Sequence, residues 1–167
     1  MKGLPALLLF AGIAVAATDA VAHPPPELFP GLPRSELQIV TGSGSHYFQV
    51  WIAADDRSRA RGLMNVRALP ANHGMLFLFE RPQYAAFWMK DTYLSLDLIF
   101  IDADGVVVNV AANATPLSLE PISSAAPVKA VLELAGSTTA RIGLVAGDRI
   151  MHPALAARSE GIDHSTE

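Results

Sequence analysis

The segment FWMKDT, residues 87–92, joins apolar bulk directly to charged and polar residues without an intervening turn. Lysine is rare in this sequence, since Lys90 and Lys129 are the only two that follow Lys2. A flat aromatic ring beside a cation and a carboxylate, in a partly apolar setting, is typical of a wall that holds a small ligand. Trp88, Lys90 and the later Asp97 are therefore the first candidates for such a wall.

A hairpin predicted over residues 86–90 and 95–101 would bring these three residues together. With a four-residue loop between the strands, the apolar residues of both strands share one face, and Trp88, Lys90 and Asp97 share the other. A shift of the pairing by one residue would mix charged and apolar side chains, which a buried sheet resists. The favoured register makes Lys90 and Asp97 diagonal neighbours, within reach of a long side chain.

A second predicted turn, at Ala103-Asp104-Gly105, extends this face. A glycine in the left-handed position suits a three-residue loop. In that register Phe100 faces Val108 and Ile99 faces Asn109. Asn109 therefore joins the polar face of the predicted sheet.

Two charged residues elsewhere complete the candidate site. Arg61 could bind an anionic group through its planar guanidinium, and Glu133 lies within an apolar run. Arg61 could equally form an ion pair with Asp97 or Glu133 inside the fold, and such pairs often serve structure alone. The predicted ligand-binding set is Arg61, Trp88, Lys90, Asp97, Asn109 and Glu133.

The favoured hypothesis for this set is a non-enzymatic binding module for a small polar, anionic or sugar-like ligand. The first alternative is a hydrolase or lyase that uses Asp97 or Glu133 as general base with Lys90 beside it. No G-x-S-x-G, H-E-x-x-H or phosphate-loop motif occurs, so no catalytic residue is assigned. The second alternative is an accessory module that docks an envelope protein.

Methionines raise the separate idea of a copper site. Met64, Met75 and Met89, together with His73, offer thioether and imidazole ligands that suit Cu(I). Methionine more often fills gaps in a core, and the pattern assigns Met64 and Met89 to core faces. We therefore predict packing for these residues and expect no metal and no cofactor.

Short alternating runs dominate the middle of the chain and predict mainly strands. The predicted strands are 36–42, 46–54, 74–79, 86–89, 96–102, 106–112 and 130–134, and the predicted helices are 55–64 and 136–144. Regular alternation of strands and helices is missing, which argues against a doubly wound sheet. We predict a mainly β fold, a compact antiparallel barrel or sandwich of about seven or eight strands with two short helices.

The N-terminal segment, residues 1–22, is predicted to be a secretory signal peptide. Lys2 precedes a short apolar run over residues 3–17, and the small-residue pattern Ala20-Val21-Ala22 suits cleavage. Residues 14–16 offer a second cleavage site, and a retained membrane anchor is the alternative. We therefore expect an exported protein, periplasmic or secreted, with no membrane span after cleavage.

The remaining chain is predicted to hold one domain. Residues 23–35 are rich in proline and predict an extended linker. Residues 36–152 form the single β domain, and residues 153–167 form a mobile tail. The chain has no cysteine, which excludes disulfides and thiol nucleophiles. Its net charge of −4 argues against a nucleic-acid partner.

Five stretches of the domain, in this order, resemble a family of uncharacterised exported or membrane-anchored prokaryotic proteins, domain of unknown function 192 (DUF192). These stretches are RGLM (61–64), GMLF (74–77), FWMKDT (87–92), LDLIFID (96–102) and VLEL (131–134). The resemblance implies a small mainly β domain behind a signal peptide or anchor, and little about activity. One departure is Asp91, where the family usually has asparagine.

Overall fold

Residues 28–155 are the part of the chain that the computed structural model describes. They form nine strands, two short α-helices and one 3-10 turn. The elements are β1 (Arg34–Thr41), β2 (Gly44–Ala53), α1 (Asp56–Arg61), β3 (His73–Gln83), β4 (Ala86–Phe87), β5 (Leu96–Ile101), β6 (Val107–Ala114), β7 (Ile122–Ser123), β8 (Val128–Ala135), α2 (Thr138–Ile142), β9 (Arg149–Met151) and the 3-10 turn Pro153–Leu155. The mainly β prediction with two short helices is confirmed.

Seven of these strands form one curled sheet, a half-barrel, in the order β6-β5-β8-β3-β2-β1-β9. Neighbouring strands are antiparallel except β2 and β3, which run parallel. Parallel neighbours require a crossover connection, and residues 54–72, including α1, supply it. The crossover therefore carries α1 to one face of the sheet.

Each face of the curled sheet carries its own apolar core, because side chains alternate along every strand. On the concave face, Val107 of β6 and Ile150 of β9 belong to one buried cluster although their strands lie at opposite edges of the sheet. On the other face, which we call the α1 face, Met75 and Leu98 pack with Leu63 from the end of the crossover. The candidate site lies on the α1 face.

Helix α1 is fixed at both ends by local interactions. Asp55 accepts a hydrogen bond from the Ser58 N–H at 2.9 Å, and the Ser58 side chain completes a capping box. Gly62 ends the helix at φ 48° and ψ −140°, a conformation that favours glycine. The predicted helix over 55–64 is therefore cut short at Arg61, and the chain turns towards the sheet.

The predicted hairpin of residues 86–90 with 95–101 is wrong. Strand β4 pairs with β7 instead, with Ala86 opposite Ser123 and Phe87 opposite Ile122. Strand β5 has β6 on one edge and β8 on the other, so neither edge remains for residues 86–90. Residues 88–95 form a loop between β4 and β5.

The turn between β5 and β6 lies at the predicted position, but the two strands pair in a register that differs from the predicted one. Gly105 has a φ of 77°, as the predicted loop requires. A bulge shifts the pairing between Ile101 and Phe100, so Phe100 lies opposite Asn109 rather than Val108. A bulge inserts one residue on one strand only, and alternation alone does not reveal it.

The described ends of the chain also pack on the domain. Phe29, within the predicted linker, is fully buried, and its ring meets that of Trp51 edge-on at 5.1 Å. Leu155, within the predicted tail, is buried in the concave core. The predicted signal peptide and the rest of the tail lie outside residues 28–155. Within that range, no helix is both long enough and apolar enough to cross a membrane.

Candidate functional site

A cavity of about 450 Å³ opens between α1 and the sheet, and we call it the α1 pocket. It lies on the α1 face, under the end of the helix and beside the segment that carries β4. Its lining consists of residues 59–64, Phe77, Phe79, residues 83–88, Thr92 and Glu133. Aromatic walls with a few polar groups are typical of small-molecule sites.

Glu133 is the carboxylic acid of this pocket. It lies in the middle of β8, opposite Met75 on β3 and Leu98 on β5, both fully buried. Only 5% of Glu133 is exposed, and its carboxyl group makes no hydrogen bond or salt bridge with any residue of the range 28–155. Burial raises the pKa of Glu133 from 4.5 to about 8, so the group is mainly protonated at neutral pH.

The two arginines of the pocket are held in different ways. The Arg59 guanidinium donates to the Leu78 carbonyl at 2.9 Å and pairs with Asp56 at 2.6 Å. The Arg61 guanidinium stacks over the Phe29 ring, 5.1 Å from its centre. Arg61 has no hydrogen bond or salt bridge to the described residues, including Asp97 and Glu133, so its donors are available at the pocket.

The FWMKDT segment alternates between core and solvent without forming a long strand. Phe87 meets Phe77 edge-on at 4.9 Å, and Met89 is fully buried. Trp88 is 52% exposed and lines the pocket, while the Lys90 ammonium lies 5.6 Å from the centre of its ring. The segment therefore closes the core with one set of side chains and presents an aromatic ring and a cation with the other.

The end of the segment is a tight turn tied to distant loops. Asp91 has a φ of 52°, a left-handed conformation that asparagine and aspartate tolerate better than most residues. This backbone requirement suits Asp91 as well as the asparagine that the resemblance leads us to expect at this position. Thr92 is buried and its hydroxyl donates to the Lys90 carbonyl at 3.0 Å.

Asp97 does not share a face with Trp88 and Lys90, which corrects the geometry predicted above. It follows Leu96 and precedes Leu98, two residues of the α1 face, so its side chain points to the opposite side of the sheet. It is fully buried there. The predicted grouping of Lys90 with Asp97 is therefore wrong, and Lys90 does not line the pocket that Glu133 borders either.

The Asp97 carboxylate accepts four hydrogen bonds. It accepts from the N–H groups of Asn113 at 2.8 Å, Ser137 at 3.1 Å and Thr139 at 2.8 Å. It also accepts from the Thr139 hydroxyl at 2.8 Å. Asp97 thus caps α2, whereas the side chain of Ser137, the residue at the N-cap position, donates to Asn113 Oδ1.

The side chain of Asn109 also has a structural role, because it hydrogen-bonds to backbone groups of a neighbouring segment. Its side chain accepts from the Ala125 N–H at 2.9 Å and donates to the Ser123 carbonyl at 3.2 Å. These bonds tie β6 to β7 and to the chain that follows it. Of the six predicted site residues, Arg61, Trp88 and Glu133 line the α1 pocket, Lys90 lies beside Trp88, and Asp97 and Asn109 lie elsewhere.

Several pocket residues were not predicted from the sequence. Phe77 and Phe79 follow Met75 at every second position of β3, so alternation could have placed them on one face. Tyr84 lies after the strand in a segment with no periodic signal.

Met75 and Met89 are fully buried in the core. Across residues 28–155, no group of three histidine, aspartate or glutamate side chains is placed to hold a metal ion.

Comparison with known proteins gives a family and two similar solved structures. A protein from Sinorhizobium meliloti 1021, described provisionally as a transcription regulator, is 39% identical with a TM-score of 0.72, over 74% of this chain and 96% of its own. A protein of unknown function from Novosphingobium aromaticivorans DSM 12444 is 37% identical with a TM-score of 0.73, over 85% and 100% respectively. No curated protein gives a significant match.

The family model for DUF192, described as an uncharacterized ACR, matches residues 38–152. That range includes all five stretches that carry the resemblance noted in the sequence, and it includes every predicted site residue. The chain belongs to the DUF192 family.

Proposed function

We propose that the domain is a non-enzymatic binding module that takes a small polar or anionic ligand, sugars included, in the α1 pocket. One observation carries the proposal: Glu133 is buried without a partner among the described residues, and it borders a cavity of about 450 Å³. An acid that is only 5% exposed gains from a hydrogen-bond partner, and the exposed part of Glu133 borders the pocket. A ligand in the pocket would supply that partner.

The rim of the pocket supports the same proposal. Trp88 is 52% exposed and Tyr84 is 72% exposed, although large aromatic rings usually bury more of their surface. Both line the cavity, where a flat ring can stack against the apolar face of a ligand. Arg61 adds free hydrogen-bond donors next to them.

A hydrolase or lyase is less well supported. Asp97 accepts four hydrogen bonds on the other face of the sheet, so its carboxylate is not available as the general base. Lys90 is exposed and lies over Trp88, and it does not line the pocket. Glu133 alone does not provide the acid–base pair on which this alternative depends.

We place the module outside the cytoplasm, in the periplasm or beyond, on the evidence of the N-terminal segment 1–22 alone. The S. meliloti relative is described provisionally as a transcription regulator. A net charge of −4 does not suit DNA binding, which normally uses a basic surface. We therefore do not extend that description to this chain.

A thermal-shift screen of small polar, anionic and sugar-like compounds tests the proposal. Ligands of the α1 pocket should raise the melting temperature of the wild type and lose this effect in Trp88→Ala and Glu133→Leu. The controls are Tyr47→Ala and Glu36→Leu, because both residues are exposed on the β1–β2 hairpin, outside the pocket. A library without any stabilising compound, or hits that bind both pocket variants normally, would remove the pocket as a binding site.

Docking of an envelope protein is the second candidate, because apolar side chains surround the mouth of the pocket. Leu119 is 66% exposed and lines, with Trp88 and Pro121, a shallow groove of about 260 Å³. Exposed apolar patches often mark protein contacts. If docking is the function, Leu119→Asp should abolish recovery of a specific envelope protein with the purified domain, whereas Tyr47→Asp should not.

A further inference from the structure

We infer, on the basis of the proposed function, that the α1 pocket selects a small organic anion with an aromatic or otherwise apolar body. The anionic group of this ligand would pair with Arg61, and its body would lie along the aromatic wall. Glu133, in its protonated form, would donate a hydrogen bond to it. The inference narrows the ligand class of the pocket and assigns a separate role to each of these two residues.

The charges that face the pocket favour an anion. Its ionisable lining residues are Arg59, Arg61, Tyr84 and Glu133. The residues that flank Glu133 on β3 and β5 are Met75 and Leu98, which carry no charge. With Glu133 protonated, the lining holds no negative charge; the charge of Arg59 is offset by Asp56, and that of Arg61 is not offset by any described residue. An organic cation would meet like charge at the mouth, whereas an anion would not.

Arg61 is the residue that can anchor the anion. Arg59 already spends its donors on the Ala54 and Leu78 carbonyls and on Asp56. Arg61 has no such bonds to the described residues, and its stacking on Phe29 restricts its orientation. A guanidinium held by an aromatic ring and free to donate binds a carboxylate in a two-bond geometry.

The walls of the pocket fit an apolar body. Phe77, Phe79 and Phe87 line it, and the rings of Phe77 and Phe87 meet edge-on at 4.9 Å. Such rings offer dispersion contact and no hydrogen bond, so they favour an apolar or aromatic ligand surface over a fully hydroxylated one. The polar groups of the ligand must then lie at Glu133 and Arg61.

The protonated form of Glu133 makes binding depend on pH. Because burial holds the pKa of Glu133 at about 8, the acid is neutral below that value and repels no anion. Above it, an ionised carboxylate would oppose an anion and attract an amine. Affinity for the anion should therefore fall as the pH rises, by roughly tenfold for each pH unit above the pKa.

Isothermal titration calorimetry with three matched probes tests the inference. The probes are 3-phenylpropionate, 3-phenylpropanol and 3-phenylpropylamine, which share a ring and differ in charge. At about pH 6 the wild type should bind the anion at least about tenfold more tightly than either other probe. Between about pH 8 and pH 10 this preference should disappear.

Variants separate the two roles. Arg61→Gln should lower the affinity for the anion to that of the alcohol, whereas Arg57→Gln should leave it unchanged, since Arg57 is exposed on α1 and does not line the pocket. Glu133→Gln keeps a neutral donor of similar shape, so it should bind the anion without the loss at high pH. Persistence of the pH dependence in Glu133→Gln would overturn the role of Glu133.

The outcomes distinguish this inference from the proposed function. The wild type could bind the amine more tightly than the anion, and Glu133→Leu could abolish the binding of the amine. That result would refute the ligand class, while the α1 pocket would remain a binding site. Failure of all three probes while the screen finds a neutral pocket ligand would refute the class in the same way. Failure of the probes and of the screen would refute the proposed function itself.

Discussion

An apolar site favours the protonated, neutral form of a carboxylic acid over the ionised form. Glu133 lies in such a site. Its neighbours across the sheet, Met75 and Leu98, are apolar, and no described residue forms a hydrogen bond or a salt bridge with it. The pKa of Glu133 is raised to about 8 by burial. Asp97 shows the contrasting case, since four hydrogen bonds compensate its carboxylate for the loss of water.

The raised pKa of Glu133 makes stability depend on pH. The folded state binds more protons than the unfolded state between about pH 4.5 and pH 8, so the free energy of unfolding falls as the pH rises through that interval. Below the interval the contribution of Glu133 to stability is complete, and above it Glu133 causes no further loss. The total loss is on the order of a few kcal/mol. Urea unfolding at the two ends of the interval measures it.

Glu133→Gln provides the comparison for this prediction. Glutamine cannot ionise, so the variant should show a markedly smaller decline over the same interval. The conservative change at an exposed acid, Glu36→Gln, should keep the wild-type decline. A decline of equal size in wild type and Glu133→Gln would show that other groups cause it.

Asp97→Ala should destabilise the domain strongly. The substitution leaves the buried Thr139 N–H and the partly buried N–H groups of Asn113 and Ser137 without their acceptor. We expect a loss on the order of 3 kcal/mol in the free energy of unfolding, measured by urea denaturation. Asp104→Ala, in an exposed turn, should change it by no more than about 0.5 kcal/mol. Equal effects of the two substitutions would refute the capping role.

At the scale of elements, the crossover from β2 to β3 builds the pocket. Asp55 starts α1, and Gly62 ends it in a conformation that favours glycine. This abrupt end lets Arg61 reach Phe29 on one side while Leu63 enters the core on the other. The position of Arg61 at the pocket therefore depends on the turn at Gly62.

Gly62→Ala should disturb both stability and binding. A Cβ atom at this position would lie 3.3 Å from Cζ of Phe77, and the backbone would be strained at a cost of roughly 1–3 kcal/mol. We expect a lower urea midpoint and weaker binding of any pocket ligand. Gly42→Ala is the control, because its Cβ would meet no atom within 4 Å and its φ lies outside the left-handed region. A neutral Gly62→Ala would contradict the account of this turn.

Local pattern predicted the elements better than it predicted their partners. The predicted strands 36–42 and 46–54 correspond to β1 and β2, which pair as an antiparallel hairpin. Residues 86–90 alternate as a strand does, but the partner of β4 is β7, more than thirty residues later. The bonds that fix the loop after it are also distant, such as Met89 N–H to the Ser118 carbonyl at 2.9 Å. A short run of residues does not indicate which distant segment it pairs with.

The whole molecule explains why only part of the site could be predicted. A curled sheet with apolar residues on both faces buries polar residues on either side, and composition alone does not say which side. Glu133 and Asp97 are both acids within apolar strands, yet one borders a cavity and the other caps a helix. Trp88 and Glu133 were predicted as candidates from their residue types. They line one pocket together with residues 59–64 of the crossover, and that arrangement depends on the whole fold.

The DUF192 family match covers residues 38–152, which include most of both cores and the whole lining of the α1 pocket. The proposed function therefore concerns the part of the chain that defines the family. Export, by contrast, is proposed from the N-terminal segment 1–22, outside that match. The two proposals can accordingly fail independently, and a secretion assay of the full chain does not bear on ligand binding.

An NMR titration of the Glu133 carboxyl carbon is the most direct test of the central claim, that the pocket holds a neutral, unpaired acid. Side-chain carboxyl shifts, recorded as the pH is raised and assigned by comparison with Glu133→Gln, report its protonation. The account predicts a midpoint of about 8, well separated from the exposed acids. A midpoint near the ordinary value of 4.5 would show a hydrated or paired carboxylate and contradict the account.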